Sequence, residues 1–364
     1  MKILHIDSEK GFRGGEQQVM LLMEGLRECG VAQALAARAG DELARRAREA
    51  GHEVHELPHD SIRHPATKRF LRAVVRRGGF SLVHAHTGNA HTLAYSCVHG
   101  RVPIVVTRRV DFPVKRNFLS RRKYRAPGVH FIAISNGVAD VLRAGGVPAE
   151  RLDVVFSGVD PTRFVGATGR EALRREWEVT EPGPVFGMVG SYVDHKDPLN
   201  LVAAAALLAR DASLPNARIV LVGEGELRPQ LEDAIRRDAL GNVLLTGWRQ
   251  DIGDCLAAFD VFVMPSKLEG LCTSLLDAQA AGLPCIGTDT GGIPDVVRDG
   301  ETGLLVPPRD PAALAAAMKR LWSDATLRAR LREAGPLAVE ARFSVQSMVG
   351  GTLAVYQRIL AKAS

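Results

Sequence analysis

Short apolar runs alternate with stretches of helical spacing from one end of the chain to the other, and this alternation restricts the fold more than any other feature. Runs at 2–6, 32–37, 81–84, 103–107, 130–134 and 153–156 form one series, and runs at 185–190, 218–222, 242–246, 260–264, 284–287 and 304–306 form a second. Helical patterns lie between them at 15–29, 41–50, 137–145, 198–210, 227–238 and 311–322. Strands that are apolar on both faces suit parallel sheets covered by helices. Two such series predict two doubly wound α/β domains. The 364 residues are ample for two domains and a large core.

The segment at 161–182 mixes Pro, Gly and charge without a strand, which places the seam there. The expected domains are 1–165 and 166–343. A last helix at 344–364 is expected to pack back on the first domain, with Gly350 and Gly351 placed to kink or break it.

Hydrophobic residues make up 46% and charged residues 24%, which excludes a disordered chain, a collagen-like fibre and a disulfide miniprotein. The five cysteines, Cys29, Cys97, Cys255, Cys272 and Cys285, are scattered with no C-x-x-C pair, which points to a reducing compartment and away from a zinc ribbon. The opening MKILHID is too short and too polar at its end for a signal peptide, and no apolar run reaches the roughly 18 residues of a membrane span. A cytoplasmic chain is the expectation, with peripheral contact at the inner face of the membrane as an added possibility.

The net charge of +6 hides an asymmetry. Residues 1–165 hold 26 Lys and Arg against 16 Asp and Glu, a net of +10, so the remainder carries −4. The densest part is RRVDFPVKRNFLSRRKYR at 108–125, around the single acid Asp111. Such a run is ordinarily a solvated face. It equally suits an anionic partner or the inner leaflet of a membrane. With 5% aromatic residues and no RNA-recognition or zinc-finger pattern, no nucleic-acid partner is expected.

Three places carry candidate chemistry. After the first strand, Gly11, Gly14 and Gly15 precede the helix at 16–29, as a tight turn or as a loop whose amides approach a ligand. In GMVGSYVDHKDP, Lys196 stands just before an Asp-Pro helix start, as a surface lysine or as one that reaches a phosphate. The stretch EGLCTSLLD places Glu269 and Asp277 on either side of a helix start near Thr273 or Ser274. Ser274 with Asp277 fits a capping box, while the functional alternative is a loop and helix N-terminus gripping a diphosphate. The histidines His84, His86 and His91 of LVHAHTGNAH have no Cys, Asp or Glu near them in sequence, so no metal is expected, and His86 is a candidate acceptor contact.

These fragments, together with GGEQQVMLLMEGLRECG, FSGVDPTRF, LVGEGELRPQLE, TGWRQDI and GGIPDVVRDGETGLLVPPRDPAAL, resemble in order and spacing the retaining glycosyltransferases of family four. The resemblance covers essentially the whole chain. It implies the GT-B fold, two Rossmann-like domains facing a cleft, and transfer from a nucleotide sugar, a UDP-sugar being favoured, to an acceptor hydroxyl without metal or other cofactor. It assigns Glu269 to the donor hexose and Asp277 to ribose hydroxyls, where the family has a second Glu. Gly270, Leu271, Cys272 and Thr273 fall on the loop facing sugar and phosphate, Lys196 on the leaving diphosphate, Trp248 and Arg249 on the base, and Gly14 and Gly15 on the loop that closes over the substrates.

Two departures stand out. Ser191 replaces an arginine of the family's phosphate clamp, and Arg109 stands where a histidine is common. Arg109, with Arg108, is therefore assigned to lost phosphate charge or to the acceptor. The acceptor is expected to be anionic or a lipid-linked glycan, as in lipopolysaccharide or other envelope glycan synthesis. The competing readings are a nucleotide-sugar epimerase of the same fold and a non-catalytic nucleotide-sugar-binding module.

Overall fold

In a computed structural model, which describes residues 1–363 apart from 60, 116, 165–167, 180–182, 212, 213 and 215, the chain forms two compact units. One comprises Met1–Gly158 with Val345–Ser364 and the other Val159–Ser344.

The first unit is built on seven parallel strands: β1 (Lys2–Ile6), β2 (Ala32–Arg38), β3 (Glu53–Leu57), β4 (Leu82–Ala85), β5 (Ile104–Arg108), β6 (Val129–Ala133) and β7 (Leu152–Val154). Their order is β3-β2-β1-β4-β5-β6-β7. The second unit holds six: β8 (Val185–Val189), β9 (Arg218–Val222), β10 (Val243–Gly247), β11 (Val261–Met264), β12 (Cys285–Thr288) and β13 (Leu304–Val306). Their order is β10-β9-β8-β11-β12-β13, again all parallel. Each sheet therefore reverses direction once, between β1 and β4 and between β8 and β11. Loops leaving the carboxyl ends of strands at such a reversal part to opposite faces and leave a crevice for ligands.

The expected strands all form, within a residue or two. β3 is an addition. Its sequence EVHEL carries charge on an edge strand that is only partly buried, so it lacks the apolar run of its neighbours. The helices Pro65–Gly78, Gly88–Val98 and Ala325–Phe343 are also additions. Gly88–Val98 has a weak apolar period, and Ala325–Phe343 holds Pro336 within it.

The boundary between the units falls after Gly158 rather than at 165. Val159 donates its amide to Phe343 at 2.8 Å, and Gly169 donates to Asp254 at 2.9 Å. Arg170 and Arg174 then clamp Asp260 at 2.8 and 2.6 Å. Much of the seam segment is thus fastened to the second unit.

The last helix, Val345–Ala363, runs unbroken through Gly350 and Gly351. Its Met348, Val349, Val355, Tyr356 and Ile359 join Ile3, Leu22, Leu26, Leu82, Val105 and Ile132 in one core of the first unit. Gly25, in the helix Gly14–Glu28, sits under Val349: a Cβ there would lie 2.4 Å from Cγ2 of Val349.

Gly25→Ala should therefore destabilise the protein. Alanine adds up to about 1 kcal/mol of helix propensity. Overpacking costs about 1–3 kcal/mol, and the stiff, branched Val349 has little room to yield. Urea unfolding should show a net loss that shrinks when Val349→Ala is added. A Gly25→Ala protein as stable as the parent would show that the two helices separate freely.

Candidate functional site

In the second unit, two loops meet at the carboxyl ends of β8 and β11. The first, Gly190–Asp197, contains a 3-10 turn over Asp194–Lys196, after which Asp197 adopts a left-handed φ of 46° ahead of Pro198. The loop is shaped by close backbone approach: a Cβ on Gly223 would lie 2.0 Å from the Gly190 carbonyl oxygen. Gly190 in turn leaves room for the Lys196 stem, whose Cδ would be 3.2 Å from a Cβ at that position. The second loop, 265–272, is pinned to the first by the amides of Lys267 and Leu268, both donating to the His195 carbonyl at 2.8 and 3.2 Å. Lys267 also salt-bridges Asp194 at 2.8 Å and Asp197 at 3.4 Å.

These loops bring Lys196 and Glu269 together, with Nζ 2.5 Å from Oε1. Ser266 donates its hydroxyl to the same oxygen at 3.2 Å, and the Glu269 carbonyl accepts from the Gly292 amide at 2.9 Å. Burial pushes the Lys196 ammonium toward the neutral form, but the facing carboxylate of Glu269 outweighs it, and its pKa ends above the ordinary lysine value. Lys196 is a largely buried, fully charged cation.

The helix Thr273–Ala280 follows at once, and its start differs from the expected capping box. Its N-cap is Cys272, in the left-handed region at φ 69°, and no side chain caps the helix. Asp277 lies five residues beyond that cap, too far along the helix to cap it. Left-handed backbone at a buried cysteine costs about 1–3 kcal/mol and is characteristic of sites where surrounding structure imposes it. The result is a helix N-terminus with free positive potential beside Lys196, a ready anion site. Burial pushes the Cys272 thiol up to about 12, so it takes no part as a thiolate. Burial also pushes Asp277 up to about 6, with only Arg163 opposing.

Ser191 is exposed at the end of β8, and Gly270 and Leu271 lead into Cys272. Trp248 is 70% exposed just after β10. Arg249 salt-bridges Glu176 at 2.5 Å and Asp251 at 2.7 Å, so its guanidinium fastens the helix Arg170–Glu176 to the loop after β10.

In the first unit, Asp7 follows β1, His86 follows β4 and Arg109 follows β5, three adjacent strand ends at the sheet's reversal. Gly14 and Gly15 open the helix Gly14–Glu28, whose buried Glu16 accepts the Arg13 amide at 2.8 Å. Gly15 lies against Arg109, since a Cβ there would be 3.7 Å from Cδ. Burial pushes Arg109 down to about 10, against the attraction of Asp7 and Glu16. Burial likewise pushes Asp7 up to about 7. The counter-charges of Arg109 therefore lie in its own unit. Arg108 donates to the carbonyls of Val110 and Phe112 at 2.9 and 2.7 Å and to the Tyr124 hydroxyl at 3.2 Å, which makes it the organiser of its own loop.

His84 and His86 do project to one side, with ring centroids 4.0 Å apart, and His5 of β1 joins them. The three offer nitrogens within 4.8 Å of one another, the spacing of a metal site. However, both nitrogens of His84 are taken, by the Tyr356 hydroxyl at 2.5 Å and the Thr107 hydroxyl at 2.7 Å. Both nitrogens of His5 are taken as well, by His86 and Gln33. The donor set fits a hydrogen-bonded network rather than a metal. The sequence reading missed His5, although register pairs it directly with His84.

The basic run surrounds a cavity of about 920 Å³, lined by Arg63, Arg108, Lys115, Arg122 and Lys123 together with Phe112. Arg116 of that run lies outside the described residues. The helix Phe118–Tyr124 exposes Phe118 and Leu119 next to Arg121 and Arg122. Among the described residues, no helix is long and apolar enough to cross a membrane.

Two family descriptions match the chain: "Glycosyltransferase Family 4" over residues 12–163 and "Glycosyl transferases group 1" over 183–324. The chain is 33% identical over 180 residues to a UDP-Gal:alpha-D-GlcNAc-diphosphoundecaprenol alpha-1,3-galactosyltransferase of Escherichia coli, covering 49% of this chain and 46% of that one. It thus spans about half the length of that relative. It is 32% identical to a 2-deoxystreptamine glucosyltransferase of Streptomyces kanamyceticus over 284 residues, 76% of this chain and 72% of the relative. Its fold matches that of Anabaena Alr3699/HepE, solved in complex with UDP and glucose, with a TM-score of 0.84 at 20% identity, over 98% of this chain and all of the other.

The buried acid of the first unit gives a test independent of these likenesses. Asp7 has a folded pKa of about 7 against an ordinary 3.8, so its contribution to stability is complete in acid and is lost as pH rises through 7. By pH 8 the loss should amount to about 2–4 kcal/mol. Asp7→Asn should remove that slope, leaving the variant more stable relative to the parent at pH 8 than at pH 5 in urea unfolding. Equal slopes for the two proteins would show that Asp7 is ionised throughout.

Proposed function

The chain belongs to the glycosyltransferases of family four, and from that membership we propose that it transfers a sugar from a nucleoside diphosphate sugar, UDP-sugars being favoured, to an acceptor hydroxyl with retention at the anomeric carbon. The donor binds the second unit and the acceptor the first. The bond between the anomeric carbon and the diphosphate oxygen breaks, and the acceptor oxygen bonds to that carbon on the same face. The acceptor proton passes to the departing phosphate oxygen, so no protein base is required.

The observation that carries this reading is the half-buried Lys196–Glu269 pair beside an uncapped helix N-terminus. A leaving diphosphate gains negative charge, and a fixed cation with free helix amides stabilises it without reorganising. The Glu269 carboxylate keeps that cation charged and placed, and takes a hydroxyl of the donor hexose. Asp277, one turn into the helix, takes ribose hydroxyls. Gly270, Leu271, Cys272 and Thr273 supply the turn and amides that face the phosphates. With Ser191 in place of an arginine, Lys196 bears more of the charge alone.

Lys196→Ala should lower kcat by about 2–4 kcal/mol of transition-state stabilisation. Glu269→Gln should cut transfer far more than it weakens UDP binding. Product formation from a panel of UDP-, GDP- and ADP-sugars, with UDP affinity measured by calorimetry, checks both. A loss under threefold for Lys196→Ala, or unchanged turnover for Glu269→Gln, would sink these assignments.

The acceptor is read as anionic or lipid-linked, as in envelope glycan synthesis. The basic cavity and the exposed Phe118 and Leu119 support this, as does the diphosphoundecaprenol substrate in the name of the Escherichia coli relative. Each Arg or Lys near an anionic surface contributes about 1 kcal/mol of attraction. Changing Arg121, Arg122 and Lys123 together to Gln should release the protein from phosphatidylglycerol vesicles and raise the KM for a lipid-linked acceptor, leaving the donor KM in place. Salt should have the same effect on the parent. Vesicle binding indifferent to both would make this face merely solvated.

A further inference from the structure

The histidine network has a direction, and it is fixed from one end. Gln33 donates its side-chain amide to the Met23 carbonyl, which can only accept. The other end of that amide, Gln33 Oε1, is therefore an acceptor, and His5 Nε2, 3.1 Å away, must carry the proton. Neutral His5 then has a bare Nδ1, and His86 Nε2, 2.9 Å away, must be the donor. Burial holds His5 down to about 3 and His86 well below the ordinary histidine range, so neither ring takes a second proton near neutrality. The bare lone pair passes along the chain and ends on His86 Nδ1.

That atom is buried and has no hydrogen-bond partner among the described residues. It follows β4 at the sheet's reversal, with Asp7 after the adjacent β1 and Arg109 after β5. Arg109 Nε is likewise buried and without a partner. A buried acceptor and a buried donor left unpaired are each costly. A hydroxyl can donate to the first and accept from the second, and the two side chains are near enough for the Arg109 charge to act on His86.

We propose that His86 Nδ1 is a tautomer-locked acceptor for a sugar or cyclitol hydroxyl at the first unit's strand ends, with Arg109 Nε as its donor partner and with Gln33 and His5 as positioning residues that aim the lone pair. This rests on the transferase reading above, with the hydroxyl belonging to the acceptor. His86 is an acceptor-binding residue; Gln33 and His5 act only through it.

The test uses the full chain labelled with 15N-histidine. Long-range proton–nitrogen spectra should show His86 protonated at Nε2 and bare at Nδ1, and Nδ1 should shift on titration with myo-inositol or methyl α-D-glucopyranoside. Gln33→Leu removes the acceptor for His5 and should let both rings reverse, putting the proton on His86 Nδ1. His86→Gln keeps a donor toward His5 and loses the acceptor at Nδ1. Both variants should lower kcat/KM for the acceptor by roughly tenfold to a hundredfold, a loss well beyond any change in UDP affinity.

A proton on Nδ1 in the parent would overturn the proposal. So would parent-like acceptor kinetics in His86→Gln, or an Nδ1 signal that no polyol moves, as expected for a structural water alone. A zinc titration that shifts all three rings would also overturn it, in favour of a metal centre. A parent chain that binds no nucleotide and releases none would instead defeat the transferase reading, while the tautomer measurement would still decide the direction of the network.

Discussion

A cation as enclosed as Lys196 is tolerated only with a carboxylate against it, and the second unit is arranged around that requirement. Removing an ammonium from water costs several kcal/mol, and the return depends on geometry. The geometry comes from backbone. Gly223 lets the strand end of β9 touch the Gly190 carbonyl, Gly190 makes room for the lysine stem, and the His195 carbonyl ties the lysine loop to the glutamate loop through two amides. Ser266 then fixes the carboxylate oxygen that faces the ammonium, and the Ser266 carbonyl is itself held by the Thr288 hydroxyl at 2.6 Å. Each step is a neutral contact that orients a charged one, and the charge pair stays usable because its partners were oriented before any ligand arrived.

The parallel sheets were legible in the sequence because burial on both faces leaves no polar residue to interrupt an apolar run. β3 escaped because an edge strand keeps charge, and Gly88–Val98 escaped because small and polar residues give a helix little apolar period. Within the second unit, the site was legible as spacing. Lys196 and Glu269 each follow a strand end, and the family resemblance singled them out together with Asp277; the structure brings the first two into contact. The capping box over Ser274 and Asp277 was a false trail. That pattern makes Ser274 the cap of a helix beginning at Leu275, whereas the helix begins at Thr273, directly after the left-handed Cys272, and its N-terminus carries no side-chain cap.

The first unit was less legible, for a physical reason. Its polar cluster is assembled from the ends of β1, β4 and β5 and from Gln33 in β2, positions whose neighbours in space are decades apart in sequence. His84 and His86 drew notice because they are close in the chain, while His5 and Gln33, which decide the protonation of the network, did not. Arg109 carried an expectation of phosphate contact from its motif position. The structure gives it Asp7 and Glu16 as nearby charges. A motif position thus identified a residue of consequence without identifying what neutralises it.

The two units meet the same problem, buried polarity at a sheet reversal, by different means. The second uses full charge, an ion pair and a helix end, the arrangement on which the proposed grip on a departing diphosphate rests. The first mixes an acid held near neutrality, a guanidinium with its acidity raised by burial, and histidines kept uncharged. Uncharged hydrogen-bond acceptors can take a hydroxyl without repelling an approaching phosphate. A charged histidine at His86 would lose its lone pair and add a second cation beside Arg109. The burial that keeps it neutral is shared with His84, whose ring packs against that of His86 and is itself held by the Tyr356 hydroxyl of the last helix. That helix, contributed from the far end of the sequence, is therefore part of the polar chemistry of the first unit as well as of its apolar core.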